Sequence, residues 1–332
     1  MLQKKLLPYN TMKMDVSCKG IIPIYSENSI YNALVEGLVP LKILGGGSNI
    51  LMTGDQEAYI LKNEIKGIEI IDEDEHEVLV KVGAGENWHQ LVMWTISHNL
   101  GGIENLALIP GCVGAAPMQN IGAYGVEQES VFHSLKAIHL KEGTNRTFFR
   151  DECKFGYRES IFKNEVKGEY IITHVNYIFQ KQHTLNTSYG AIGAKLAERG
   201  IQDPTIADVA DAVIEIRRSK LPDPKLLPNT GSFFKNPVIP RSQLENLKVD
   251  HPEIVSYDID DKSVKVPAAW LIQHAGFKGM RDGDAGTHKS HALVLVNYGS
   301  ASGQEMIDFA TKIQDGVEQK FGIRLVPEVN VW

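Results

Sequence analysis

A chain of 332 residues with a net charge of −7 predicts two or three domains. The charge argues against a general nucleic-acid binder, though a local basic pocket for phosphates stays open. The start Met1–Pro8 is basic with no apolar run, so no secretion signal is expected, and the least charged stretch, Leu106 to Met118, carries Pro110, Gly111 and Gly114 and is too short to span a bilayer.

Three scattered cysteines, Cys18, Cys112 and Cys153, lack Cys-x-x-Cys spacing. That argues against a disulfide framework and against a zinc site, and a reduced, cytoplasmic enzyme with no metal is the simplest expectation. Leu41–Leu44 reads as a short strand leading into Gly45-Gly46-Gly47-Ser48-Asn49. The acidic run Asp72–Glu75 reads as a solvated hairpin loop before a strand over Val78–Val82. Gly83-Ala84-Gly85 then opens a helix with Trp88, Leu91, Val92, Thr95 and Ile96 at helical spacing. Ile109 to Gly125 has too many glycines for a regular element, so it is expected to be a structured, functional loop. Alternation predicts strands over Lys136–Leu140, Arg146–Phe149 and Tyr170–Phe179.

Thr205 caps a helix whose apolar stripe is Ile206, Val209, Ala210, Val213 and Ile216, with Asp208 in the capping-box position. Arg217 and Lys220 continue that stripe. Two readings stand for them: complements to the negative helix end, or contacts to an anionic ligand. Leu221–Pro224 ends the helix and reads as a domain boundary. A last helix is expected from Ser302, with Glu305 completing its cap, to Gly322. Ile323–Val331 alternates as an edge strand containing Pro327. On pattern alone Glu328 would be a solvated edge residue.

The stretch Asn229-Thr230-Gly231-Ser232-Phe233-Phe234-Lys235-Asn236-Pro237 mixes paired aromatics with aimed polar groups. It suits either a pocket wall or a turn entering a half-buried strand. Glycine-rich loops let backbone N–H groups approach phosphates. A Rossmann fingerprint fails at Gly45–Asn49, because Ile50 takes the third glycine position and no crossover helix follows. No Walker A spacing occurs. Two separate glycine loops suggest an extended ligand such as a dinucleotide.

Leu44–Asn49, Val82–Trp88, Ile109–Gly125, Phe155–Ser160, Asn229–Pro237 and Val326–Val329 occur here in sequence. Together they resemble, over nearly the whole chain, the UDP-N-acetylenolpyruvoylglucosamine reductase family, in the subgroup with an extra tyrosine loop. The resemblance implies an α+β protein. Its FAD-binding fold is the one shared with vanillyl-alcohol oxidase, with two α+β subdomains over 1–66 and 67–204. A C-terminal α+β substrate-binding domain covers 205–332. It implies non-covalent FAD, NADPH as co-substrate, and a UDP-sugar enolpyruvyl ether reduced to UDP-N-acetylmuramate by a monomer, with no nucleic acid or membrane partner.

By the same resemblance Ser232 is the proton donor, while Arg158 and Glu328 stabilise an enolate-like intermediate. Tyr157, Tyr189, Lys220 and Asn236 bind substrate. Gly45, Gly46, Gly47, Ser48, Asn49, Ile109, Pro110, Gly111, Gly114, Ala115, Asn120, Ile121, Gly122, Ala123, Tyr124 and Arg217 bind the flavin. Met12 stands where relatives carry an aromatic, Ala115-Ala116 where some carry serines, and His274 where they carry an amide. Lys235 receives no task. The alternatives are an oxidase of the same superfold, and a non-enzymatic flavin or nucleotide-sugar sensor. A histidine in the phosphate loops for covalent flavin is missing, which speaks against the first.

Overall fold

The computed structural model describes residues 3–332. Helices and strands alternate along the chain in an α+β arrangement. Packing divides the described residues into two units, one of residues 3–4, 18–47 and 57–219, the other of residues 5–17, 48–56 and 220–332.

In the first unit, strand β1 (Ser17–Ile24) is followed by helix α1 (Glu27–Val35) and strands β2 (Leu41–Leu44) and β3 (Gln56–Asn63). These strands lie in the order β1-β3-β2, with β2 and β3 parallel. A second sheet is antiparallel throughout. It takes β4 (Ile68–Glu73), β5 (Glu77–Gly83), β6 (Phe132–His139), β7 (Asn145–Phe149) and β8 (Tyr170–Gln180) in the order β7-β6-β8-β5-β4. The expected hairpin loop shrinks to a turn, because Asp72 and Glu73 already belong to β4. Both are exposed, so the solvated reading of the run holds. Asp74 closes that turn by accepting the N–H groups of His76 (2.7 Å) and Glu77 (2.8 Å).

Helix α2 (Trp88–Ser97) is capped by Asn87, whose side chain accepts the N–H of Gln90. It buries Trp88, Leu91, Val92 and Thr95. Helix α3 (Gly190–Glu198) precedes α4 (Ile206–Lys220). The predicted cap of α4 is present. The Asp208 N–H donates to Thr205 Oγ1 (3.2 Å), and the Thr205 N–H to Asp208 Oδ2 (2.8 Å). Val209, Ala210, Val213 and Ile216 enter the same core as Trp88, Phe148, Phe162 and Tyr177. Each large apolar side chain buried there contributes about 1.5–3 kcal/mol. This packing holds α4 in the first unit as far as Ser219, and the second unit resumes at Lys220. Lys220, expected on the buried stripe, is exposed, since it sits in the last turn beyond Ile216 where that core ends.

In the second unit, β9 (Asn229–Ser232), helix α5 (Arg241–Asp250), helix α6 (Ala268–His274), β10 (Ala285–Thr287) and β11 (Val294–Asn297) precede helix α7 (Gly303–Phe321). β11 pairs antiparallel with both β9 and β10. The Ser302–Glu305 capping box and the left-handed Gly322 at the far end bear out the predicted limits of α7. The predicted long terminal strand does not form. Only a bridge between Pro327 and Phe234, and the pair Asn330–Val331 with Ile50–Leu51, are strand-like. Pro327 has no N–H to continue a ladder. Ile323, Leu325 and Val329 are nonetheless buried as the alternation predicts, whereas Val331 is 48% exposed.

Among the described residues no helix is long and apolar enough to cross a membrane, and no group of three or more His, Cys, Asp or Glu is arranged to hold a metal. All three cysteines are free and buried.

Candidate active site

In the first unit the two glycine loops meet. A Cβ on Gly46 would lie 2.8 Å from Gly111 Cα, and one on Gly45 would lie 2.5 Å from Cys112 Sγ. Only glycine permits that approach. The long loop contains two short 3-10 turns, Val113–Ala115 and Pro117–Gln119, and a small hairpin, Gly122–Ala123 with Val126–Glu127. It is tied to the Gly83–Gly85 corner, where the N–H of Val113 donates to Glu86 O and that of Gly114 to Ala84 O, both at 2.8 Å. The N–H groups of Ala115 and Ala116 close the turns internally. The glycines of this region therefore serve loop-to-loop packing as well as any ligand.

Asn120 is fully buried at a left-handed φ of 44°. Its amide donates to Glu127 Oε2 (2.8 Å) and its oxygen accepts the Glu129 N–H (3.2 Å), which fixes the hairpin. Arg158, also left-handed with φ 56°, donates to the carbonyl of Gly122. Its Nη1 lies 3.7 Å from Glu127 Oε1, and its guanidinium carbon lies 5.2 Å from the centre of the Tyr157 ring. Gly122, Arg158 and Tyr157 are thus one cluster.

Tyr124 forms the other cluster, with Arg217 and Tyr189. The Tyr124 and Tyr189 rings meet edge to face at 5.2 Å, and the Arg217 guanidinium is hydrogen-bonded to the Tyr124 hydroxyl. Burial pushes the Tyr124 pKa up and that of Arg217 down. Arg217 Nε is enclosed and has no hydrogen-bond partner among the described residues. A buried cation so placed is costly unless an anion joins it. The anionic dinucleotide implied by the sequence would supply one, so Arg217, Tyr124 and the Gly46–Gly111 contact fit FAD.

In the second unit the nonapeptide opens as strand β9. Ser232 pairs with Val294, while Phe233 and Phe234 are wholly buried with ring centres 5.0 Å apart. A Cβ on Gly231 would meet nothing within 4 Å, so its φ of +72° is what demands glycine. The Phe233 carbonyl accepts the N–H of Glu328 (2.8 Å), and Lys235 N–H donates to Val326 O (2.9 Å). Asn49 Nδ2 donates to the Glu328 carbonyl (3.4 Å), and the N–H of Asn330 donates to Asn49 O (3.1 Å). Ser232, Glu328 and Asn49, far apart in sequence, are therefore brought together, and Glu328 is half-buried rather than solvated. Asn236 Oδ1 accepts the N–H of Ala268 at the start of α6 (2.9 Å). His274 stacks on Trp270 at 3.8 Å and shares its Nδ1 with that residue's carbonyl, a local structural role.

Two features escaped the sequence reading. The His291 pKa is pushed below the usual histidine value by burial, then by the positive charges of Lys220, His288 and Lys278. Asn105 is wholly buried between Ile103 and Leu106. The signal for Asn105 was two polar residues, Glu104-Asn105, inside an otherwise apolar run.

The comparisons agree with this layout. Residues 223–332 match the family described as UDP-N-acetylenolpyruvoylglucosamine reductase, C-terminal domain. Residues 29–148 match an FAD binding domain. The UDP-N-acetylenolpyruvoylglucosamine reductase of Flavobacterium johnsoniae is 51% identical over 325 residues, covering 97% of this chain and 96% of that protein. The chain belongs to the UDP-N-acetylenolpyruvoylglucosamine reductase family. The Pseudomonas aeruginosa reductase is 44% identical over 330 residues, covering 98% of this chain and 97% of its own length. A crystal structure of the Thermus caldophilus reductase superposes with a TM-score of 0.69 at 22% identity, covering 100% of this chain and 98% of that one, which supports the fold. The family read from the motifs stands, and so does the α+β class with an FAD-binding half and a C-terminal domain.

Proposed function

We propose that this reductase uses NADPH and FAD to convert the enolpyruvyl ether of UDP-N-acetylglucosamine to UDP-N-acetylmuramate, a precursor of peptidoglycan, as a cytoplasmic monomer. The observation that supports the reading is the backbone hydrogen bond from Glu328 N–H to Phe233 O, which runs the Glu328 segment alongside the Ser232–Phe234 segment. FAD, when bound, supplies the hydride that adds to the vinyl carbon.

Addition next to a carboxylate leaves enolate character on the substrate. Arg158 provides the positive charge that stabilises it. Its position on the Gly122 hairpin, held by the Gly122 carbonyl, supports that role. Ser232 has one O–H to give and protonates the enolate carbon, a strong base. Glu328 faces the same intermediate as a hydrogen-bonding partner. Lys220 and Asn236 hold the diphosphate and nucleotide, and Tyr189 covers the substrate. Gly45 to Asn49, the loop from Ile109 to Tyr124, and Arg217 hold the flavin.

Stopped-flow kinetics on Ser232→Ala test this. Flavin reduction by NADPH should keep its rate, while reoxidation by the enolpyruvyl substrate should slow about 10²- to 10⁴-fold. A slowed reductive half-reaction would sink the assignment of Ser232.

A further inference from the structure

Tyr189 lies at the end of a stretch, residues 181–189, that has no regular structure between β8 and α3. It is 44% exposed, and as the N-cap of α3 its side chain makes no capping bond. Something else must hold it. Asn105 Nδ2 donates both its hydrogens, one to the carbonyl of Tyr124 and one to the carbonyl of Asn186, each at 2.9 Å. Asn186 Nδ2 in turn donates to Gly125 O at 3.0 Å. Its Oδ1 accepts from Ser188 Oγ (2.8 Å) and more weakly from Ser188 N–H (3.3 Å). A Cβ on Gly125 would sit 2.9 Å from Asn186 Nδ2, and the φ of +80° there favours glycine in its own right. The edge-to-face contact of the Tyr124 and Tyr189 rings completes the junction.

We infer that Asn105 and Asn186 are positioning residues that tie the Tyr189 segment to the Tyr124–Gly125 turn and so hold Tyr189 over the substrate. The inference rests on the role given to Tyr189 in the proposed function. Asn105 is a poor choice for the fold alone. It is wholly buried, and its Oδ1 has no hydrogen-bond partner among the described residues. A leucine of similar size would avoid that unsatisfied oxygen. What leucine cannot do is bind two carbonyls from distant segments and set their spacing. Asn186 supplies a second and separate tie, because its side chain bonds Gly125 while its own carbonyl receives Asn105.

The test uses the FAD-loaded enzyme with Asn105→Leu, Asn186→Ala and Tyr189→Ala. Asn105→Leu keeps the volume and removes the donors. Asn186→Ala removes a tie at the surface, so it decides the matter if the core variant fails to fold. For both, the dissociation constant of the UDP-sugar, titrated calorimetrically, should rise about 5- to 30-fold. FAD affinity should change by less than about twofold, and backbone amides 186–189 should exchange faster with deuterium. A purely structural role would instead lower melting temperature and FAD affinity together. If Tyr189→Ala weakens substrate binding while Asn105→Leu and Asn186→Ala do not, the tie is overturned. If Tyr189→Ala leaves substrate binding unchanged, the role of Tyr189 falls, and the function of the tie with it.

Discussion

Replacing Gly46 by alanine should damage the flavin site without touching a single functional side chain. The new Cβ would stand 2.8 Å from Gly111 Cα and 3.2 Å from Gly111 C. Carbon atoms in good contact sit about 3.5–4.0 Å apart, so the two loops must separate by about 0.7 Å or more. Both partners are backbone, so no rotamer change relieves the clash. Overpacking of this kind costs about 1–3 kcal/mol. If the strain is confined to the FAD-loaded geometry, the dissociation constant for FAD rises about 5- to 150-fold. If apoprotein and holoprotein share it, the cost appears as a melting temperature lower by about 2–4 °C per kcal/mol. Fluorescence titration of the apoprotein with FAD, beside calorimetric melting of both forms, separates the two cases. Gly54→Ala is the control, because a Cβ there meets nothing within 4 Å. It should stay within about 0.5 kcal/mol of the parent. Unchanged FAD affinity together with unchanged melting in Gly46→Ala would refute the argument from close approach.

Gly231→Ala should cost about 1–2 kcal/mol in urea unfolding and Gly231→Asn clearly less, since the demand there is a left-handed backbone and not space. Equal losses for the two would show that space matters after all. His291 has a folded-state pKa below its unfolded value, so the folded form binds fewer protons. Its contribution to stability is complete above about pH 6.5 and is lost as pH falls through the folded value. The urea midpoint measured from about pH 7.5 down to 5.5 should therefore fall less steeply for His291→Gln than for the parent, and identical slopes would count against the assignment. Ser302→Ala breaks the capping box of α7 and should destabilise the chain by about 1 kcal/mol, read from its melting curve.

Local rules served the sequence well wherever a segment's structure is decided by its own residues. The caps at Thr205 and Ser302, the helix end at Gly322 and the strand of Tyr170–Gln180 all follow from side chains a few positions apart. The terminal segment failed the same treatment. Its alternation is real, but its partners are Phe234 and the residues at Ile50–Leu51, which periodicity cannot see. Gly231 and Gly46 look alike in the sequence. One is required by its dihedral angle and the other by a neighbouring backbone. The family motifs named the candidate site residues, yet Asn105 and His291 carried no motif. Their importance comes from what surrounds them, a pair of carbonyls in one case and a set of positive charges in the other.

The second unit is assembled from three pieces of chain, and this sets an order of events during synthesis. Leu6, Met12 and Met14 are buried in it. The carbonyls of Thr11 and Met12 receive Asn229 N–H and Asn297 Nδ2. Those donors leave the ribosome more than about 200 residues after the acceptors, a delay of about 10–40 s at ordinary translation speed. Throughout that interval the early apolar segment lacks the part of its native surroundings that residues 220–332 supply. A chaperone that shields the first residues of the nascent chain would therefore raise the yield of folded enzyme, and a fragment beginning at residue 223 would have to fold without part of its own interior.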